Sequence, residues 1–205
     1  MSPIDPPLYE ENENDSLWSD DVSLALCFLA SLAHHGDYSQ EHLLQRYFQW
    51  WMNGYMSPTG LCFTPHIDIK KSIDLFGETQ AAQALGFQID IEKKLNYLSP
   101  KPTALLRLSP IAYFYSKHSF LKRLEIIKDC VKRMFGIKTS IDVFIAYIEL
   151  LVNALNGFSK QELIQSIQLE QNSNDILNKF FFHLIYLISN DNNNIEQGIQ
   201  LALKN

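Results

Sequence analysis

The chain has 205 residues, 46% of them apolar and 20% charged, with a net charge of −6. That is the composition of one folded domain able to bury roughly 70% of its unfolded surface, and its acidic balance excludes a surface built mainly to hold nucleic-acid phosphates. Three cysteines, Cys27, Cys62 and Cys130, are odd in number and too far apart for a zinc spacing, so reduced thiols and a cytoplasmic setting are expected.

Residues 1–17, rich in Pro, Glu and Asn, read as a disordered acidic lead without the basic and apolar segments of a signal peptide. Residues 18–205 read as a single helical domain. No apolar run approaches the roughly 20 residues of a membrane span, and "FFFHLIYLI" is too short for one. The first helix is predicted over 20–35, ended by Gly36. Val22, Leu24 to Ala30, Leu32 and Ala33 make it apolar on nearly every face, with only Ser23 and Ser31 between them. Such a helix belongs in the interior, yet it opens with Ser19-Asp20-Asp21. One reading is a capping serine followed by acids that suit the positive end of the helix dipole. The other starts from the cost of burying two carboxylates together without a cation. A hydroxyl and two carboxylates are hard oxygen ligands, and on that reading they are half of a site for Mg²⁺ or Mn²⁺.

A second helix is predicted over 40–55, opened by Ser39. Its Leu44, Tyr47, Phe48, Trp51 and Tyr55 recur at three- and four-residue spacing, which favours a core face over a platform for stacking bases. Further helices are expected near 66–76, 103–116, 118–135, 140–156, 160–170, 174–188 and 194–204, with Gly136 and Gly157 ending two of them. The segment 117–138 carries Lys117, Lys122, Arg123, Lys128, Lys132, Arg133 and Lys138. Leu121, Leu124, Ile127, Val131 and Met134 line it on one side, Glu125 and Asp129 intersperse it, and Asp129 stands four residues before Arg133. That is an amphipathic helix with a solvated charged face. His34 and His35 suit the negative end of the first helix, and Cys27 reads as a small buried hydrophobe. The Asn-rich "SNDNNN" reads as a turn and lacks the ligand pattern of a calcium loop. Strand signals are weak and no repeat is seen, so the expected class is an all-α bundle.

The motifs resemble those of the ADP-ribosylglycohydrolase family, of the dinitrogenase reductase-activating glycohydrolase type. "WSDDVSLALCFLASL" resembles the family's Trp/Tyr-Thr/Ser-Asp-Asp helix, and "QRYFQWWMNGYMSPTGLCF" its Arg-Tyr-x-x-Trp-x-x-x-Gly-Tyr helix and Ser-x-Thr-Gly-x-x-Phe turn. "TALLRLSPIAYFY" is similar to its Ser/Ala-Leu-Met-Arg-x-x-Pro segment. "SIDVFIAYIELLVNALNGFSKQEL" and "IEQGIQLALKN" are similar to later helices of its core.

The resemblance implies a compact, orthogonal all-α fold that carries two Mg²⁺ ions and hydrolyses the glycosidic bond between ADP-ribose and an acceptor. The acceptor is an ADP-ribosylated protein or a small ADP-ribose conjugate. Ser19, Asp20 and Asp21 stand where the family places its first metal cluster. Thr64 stands where the family has the Asp of its ribose-holding Phe-Asp-Ile-Gly turn, here Phe63-Thr64-Pro65-His66, Arg107 matches the family's arginine, and both are the substrate-binding positions the resemblance implies.

Elsewhere the pattern departs. The family's Gly-Asn-Gly is Lys101-Pro102-Thr103, its Thr-His falls at Met134-Phe135, and no Asp-x-Asp occurs in the 205 residues. The expectation is a bundle without the family's first and last helices. It would hold at most one Mg²⁺ (or Mn²⁺) weakly and be impaired as a hydrolase. Three readings result: a metal-dependent hydrolase, an inactive relative kept as a binding or structural module, or one half of a split protein. A partner chain would then cover the apolar face left exposed.

Overall fold

The structure, a computed structural model, describes residues 17–62, 67–90, 94, 101–135 and 141–166. Among them the regular structure is helical: α1 (Asp20–His35), α2 (Gln40–Asn53), α3 (Ile67–Ala84), α4 (Ala104–Phe114), α5 (Phe120–Phe135), α6 (Asp142–Leu155) and α7 (Lys160–Gln165). The helices expected near 174–188 and 194–204 lie outside the described residues, as does Thr64.

α1 is the central element. It packs most extensively against α4, which in turn lies on α6, while α2 joins α1 to α3 and α3 rests on α5. Leu24, Cys27, Phe28 and Leu32 of α1 are all buried, as the apolar pattern requires. Each such side chain contributes about 1.5–3 kcal/mol when fully removed from water.

The core face of α2 centres on Leu43, Leu44, Tyr47 and Trp50, with Phe48 and Trp51 only partly covered. Trp50 is fully buried although the predicted stripe passed it by. The reason is that α2 is packed on two sides, so a stripe wider than a single row is covered.

α3 runs eight residues past the predicted end at 76. Gly77 carries a penalty of about 1 kcal/mol in a helix interior, offset by the good helix formers of "ETQAAQA" after it. On α5, Leu121 is exposed and Arg123 is buried, the reverse of the expected sides. Arg123 is drawn inward by Glu149 of α6, donating from Nε and Nη2 at 2.6 and 2.5 Å, and by the carbonyl of His118 at 2.6 Å. The expected Asp129–Arg133 pair is present at 3.8 Å.

An apolar groove of about 590 Å³ runs between α1, α4 and α6, lined by Leu26, Leu29, Pro110, Tyr113, Leu151 and Leu155 among others. No helix among the described residues is long and apolar enough to cross a membrane.

Candidate functional site

Three stretches of chain meet at the N-terminal mouth of α1. Trp18 Nε1 donates to Ser23 Oγ at 3.1 Å and to the Met56 carbonyl at 3.2 Å, tying the entry of α1 to the loop after α2. That loop is held close by Gly54, which ends α2 in the left-handed region at φ 65. A Cβ at position 54 would stand 1.8 Å from the Gly60 carbonyl oxygen. The Ser57 and Thr59 hydroxyls then donate to the Leu61 carbonyl at 2.6 and 3.2 Å, closing the turn ahead of Cys62. Burial, and next the charge of Asp20, push the Cys62 thiol up to about 12. The Asp20 carboxylate is thus near enough to act on that thiol.

The residues of Ser19-Asp20-Asp21 take three different positions. Ser19 is extended, at φ −72 and ψ 166, and its hydroxyl accepts from the Val22 N–H at 3.4 Å, so it is the helix cap. Asp20 is half-buried. Asp21 turns inward and is 4% exposed. There Arg107 Nε donates to Asp21 Oδ1 at 2.6 Å from a fully buried guanidinium. The sequence puzzle of acids at the head of an interior helix thus has an answer for Asp21: an arginine from α4 neutralises it. Tyr47 of α2 is fully buried as well. Its hydroxyl is pushed well above the tyrosine range, chiefly by burial, and the charges of Arg107 and Asp21 act on it in opposite directions.

α4 delivers Arg107 to this position through an unusual segment. Pro110 sits inside the helix and has no N–H for the Leu106 carbonyl. Ser109 Oγ donates to that carbonyl instead, at 2.7 Å, and the helix continues to Phe114.

Asp21 and Arg107, both singled out in the sequence, are brought into direct contact. Met134 and Phe135, which stand at the family's Thr-His, are each 1% exposed. Phe135 stacks on Phe144 with ring centroids 5.7 Å apart, and Met134 offers its carbonyl to Ser72 Oγ at 2.6 Å. They are core residues, closed to any ligand. Sequence reasoning missed Arg123–Glu149 as a second ion pair. A signal for the first pair was present: Arg107 is the single charge of the apolar helix "ALLRLSPIAYF", facing a helix whose one inward charge is opposite in sign.

No individually curated protein matches the chain. The sequence profile of the family described as ADP-ribosylglycohydrolase matches residues 3–196, beginning ahead of the motifs at Trp18. With an all-helical architecture and the Trp-Ser-Asp-Asp corner closed over a buried arginine, the match spans nearly the whole chain, and the chain belongs to the ADP-ribosylglycohydrolase family.

Proposed function

We propose that this chain retains the ADP-ribosylglycohydrolase fold with a site that is catalytically silent or nearly so, holding at most one weakly bound Mg²⁺ or Mn²⁺. The observation that carries this reading is the 2.6 Å contact between Arg107 and Asp21, with side-chain exposures of 0% and 6%. A divalent cation at Ser19, Asp20 and Asp21 would have to share a carboxylate already given to a guanidinium, whose positive charge repels it. Mg²⁺ demands near-octahedral oxygen ligation and gives up its water reluctantly, so the half-buried Asp20 would be its main protein ligand and the ion would stay mostly hydrated. Met134 and Phe135 are closed to a ligand as well, and Pro102 restricts the backbone where the family has glycines.

In this reading Asp21 and Arg107 hold α1 against α4, and the mouth framed by Asp20, Trp18 and the 55–62 loop is a recognition surface for the ADP-ribose class of ligand. Calorimetric titration with MgCl₂ and MnCl₂, beside a turnover assay on ADP-ribosylated protein, tests it. Weak binding of one ion and no release above background are expected. Two tight sites, or clear metal-dependent release of ADP-ribose, would overturn it in favour of an active hydrolase.

A further inference from the structure

Three imidazoles meet at the opposite end of α1. His34 and His35 occupy its last turn, Gly36 reverses the chain at φ 71, and His42 follows in the first turn of α2. The ring centroids lie 5.2 Å apart for His34–His35, 4.9 Å for His34–His42 and 4.3 Å for His35–His42. One ring nitrogen from each lies within 4.8 Å of the other two. The rings come from two helices fixed by capped ends, Gly36 N–H to the Leu32 carbonyl at 2.8 Å and His42 N–H to Ser39 Oγ at 3.4 Å. The corner's backbone therefore sets their proximity.

The rings of His34 and His42 are stacked at 16°, with His35 edge-on to them at 80° and 75°, so the three close on one ion when the exposed side chains of His34 and His35 turn about their side-chain bonds. Ser31 Oγ, on the buried side of α1, lies 2.9 Å from His42 Nδ1. When Nδ1 carries the ring proton and donates it to Ser31, Nε2 is left as a lone-pair donor, the arrangement by which outer partners orient metal-binding histidines.

We propose that His34, His35 and His42 form a three-histidine site for a divalent transition-metal ion of the zinc class, with solvent completing the coordination. Imidazole suits Zn²⁺ and its neighbours, whereas Mg²⁺ selects oxygen, so this site and the acids at the other end of α1 differ in chemistry. They also stand roughly 20 Å apart along the helix. Zn–N bonds of about 2.0–2.1 Å in a tetrahedron bring ligand nitrogens to about 3.4 Å. The exposed side chains of His34 and His35 are able to close that remaining distance by rotation. A bound ion would staple the end of α1 to the start of α2.

The test is titration of the untagged full-length chain with Zn²⁺ under reducing conditions, against a chromophoric chelator, and with Co²⁺ followed by its visible absorption. One ion per chain is expected, with the intense Co²⁺ bands of low-coordinate nitrogen ligation. Substituting His34, His35 or His42 by Ala should each weaken Zn²⁺ binding by at least about tenfold, and Ser31→Ala by roughly tenfold. Asp20→Ala and Cys62→Ser should leave it unchanged. Stoichiometry well below one, a Co²⁺ spectrum of the hydrated ion, undiminished binding in the folded His42→Ala protein, or loss of binding in Asp20→Ala or Cys62→Ser would each overturn the proposal.

Discussion

Substituting Asn for Asp21 keeps the side chain's size and removes its charge, leaving Arg107 buried without the carboxylate it donates to. Arg107 is fully buried and donates at 2.6 Å. Two unit charges whose centres lie about 4 Å apart attract by about 4 kcal/mol at an effective dielectric of about 20. Breaking such a pair from one side costs about 3–5 kcal/mol, because the remaining ion stays desolvated. In a chain of this size that is a fall in Tm of roughly 10 °C. Urea unfolding followed by circular dichroism, in EDTA and in Mg²⁺, measures it for Asp21→Asn, Arg107→Met and the double variant. The loss for Asp21→Asn should be equal in the two buffers. The double variant should be more stable than the sum of the single losses predicts, by about 2–3 kcal/mol, as directly interacting residues show. A loss under about 1 kcal/mol, or single losses that simply add, would refute the ion pair as the reason this carboxylate is buried.

Asp20→Ala should melt within about 1 kcal/mol of the parent, the size of a first-turn dipole effect, while reducing the heat of Mg²⁺ binding in calorimetry. Asp37 accepts from Tyr115 Oη, from the Tyr38 N–H and from Lys122, which together hold it at about 2, below its ordinary 3.8. A depressed carboxylate contributes stability that is complete above the unfolded pKa and is lost as pH falls through the folded one. An acid titration of Asp37→Asn by circular dichroism should therefore show a shallower decline than the parent between about pH 4 and pH 2. Burial pushes the Cys27 and Cys130 thiols up to about 12, so iodoacetamide at pH 8 should label them only on unfolding. Cys62, pushed up as far but only half-buried, should react faster because reagent reaches it, and faster again in Asp20→Ala. Rapid native labelling of Cys27 or Cys130, read by mass spectrometry, would contradict the packing described.

The helical class and the starts of α1 and α2 are legible in the chain because Ser19 and Ser39 each accept from an N–H of the first turn, a signal written locally. The fate of the acids is not local. Nothing within a few residues of Asp21 distinguishes it from Asp20, and their separation into an inward, arginine-paired group and a half-buried one depends on α4, whose Arg107 lies 86 residues away. The same holds for Arg123, which reads as one more surface cation until Glu149 on α6 claims it. Periodicity also understates a helix packed on two sides, which is how Trp50 escaped the predicted stripe. His34 and His35 read as a helix end; only the reversal at Gly36 sets His42 against them.

Position 54 carries a further implication for how mutational data on this protein would read. Any replacement of Gly54 must place a carbon where the backbone of Gly60 already stands, so each of the nineteen alternatives would prise the turn away from the rim near Asp20. In a saturation screen scored by ligand recognition, that position would look as intolerant as a reacting group. Its silence in any chemical step would emerge only when abundance and binding were scored separately.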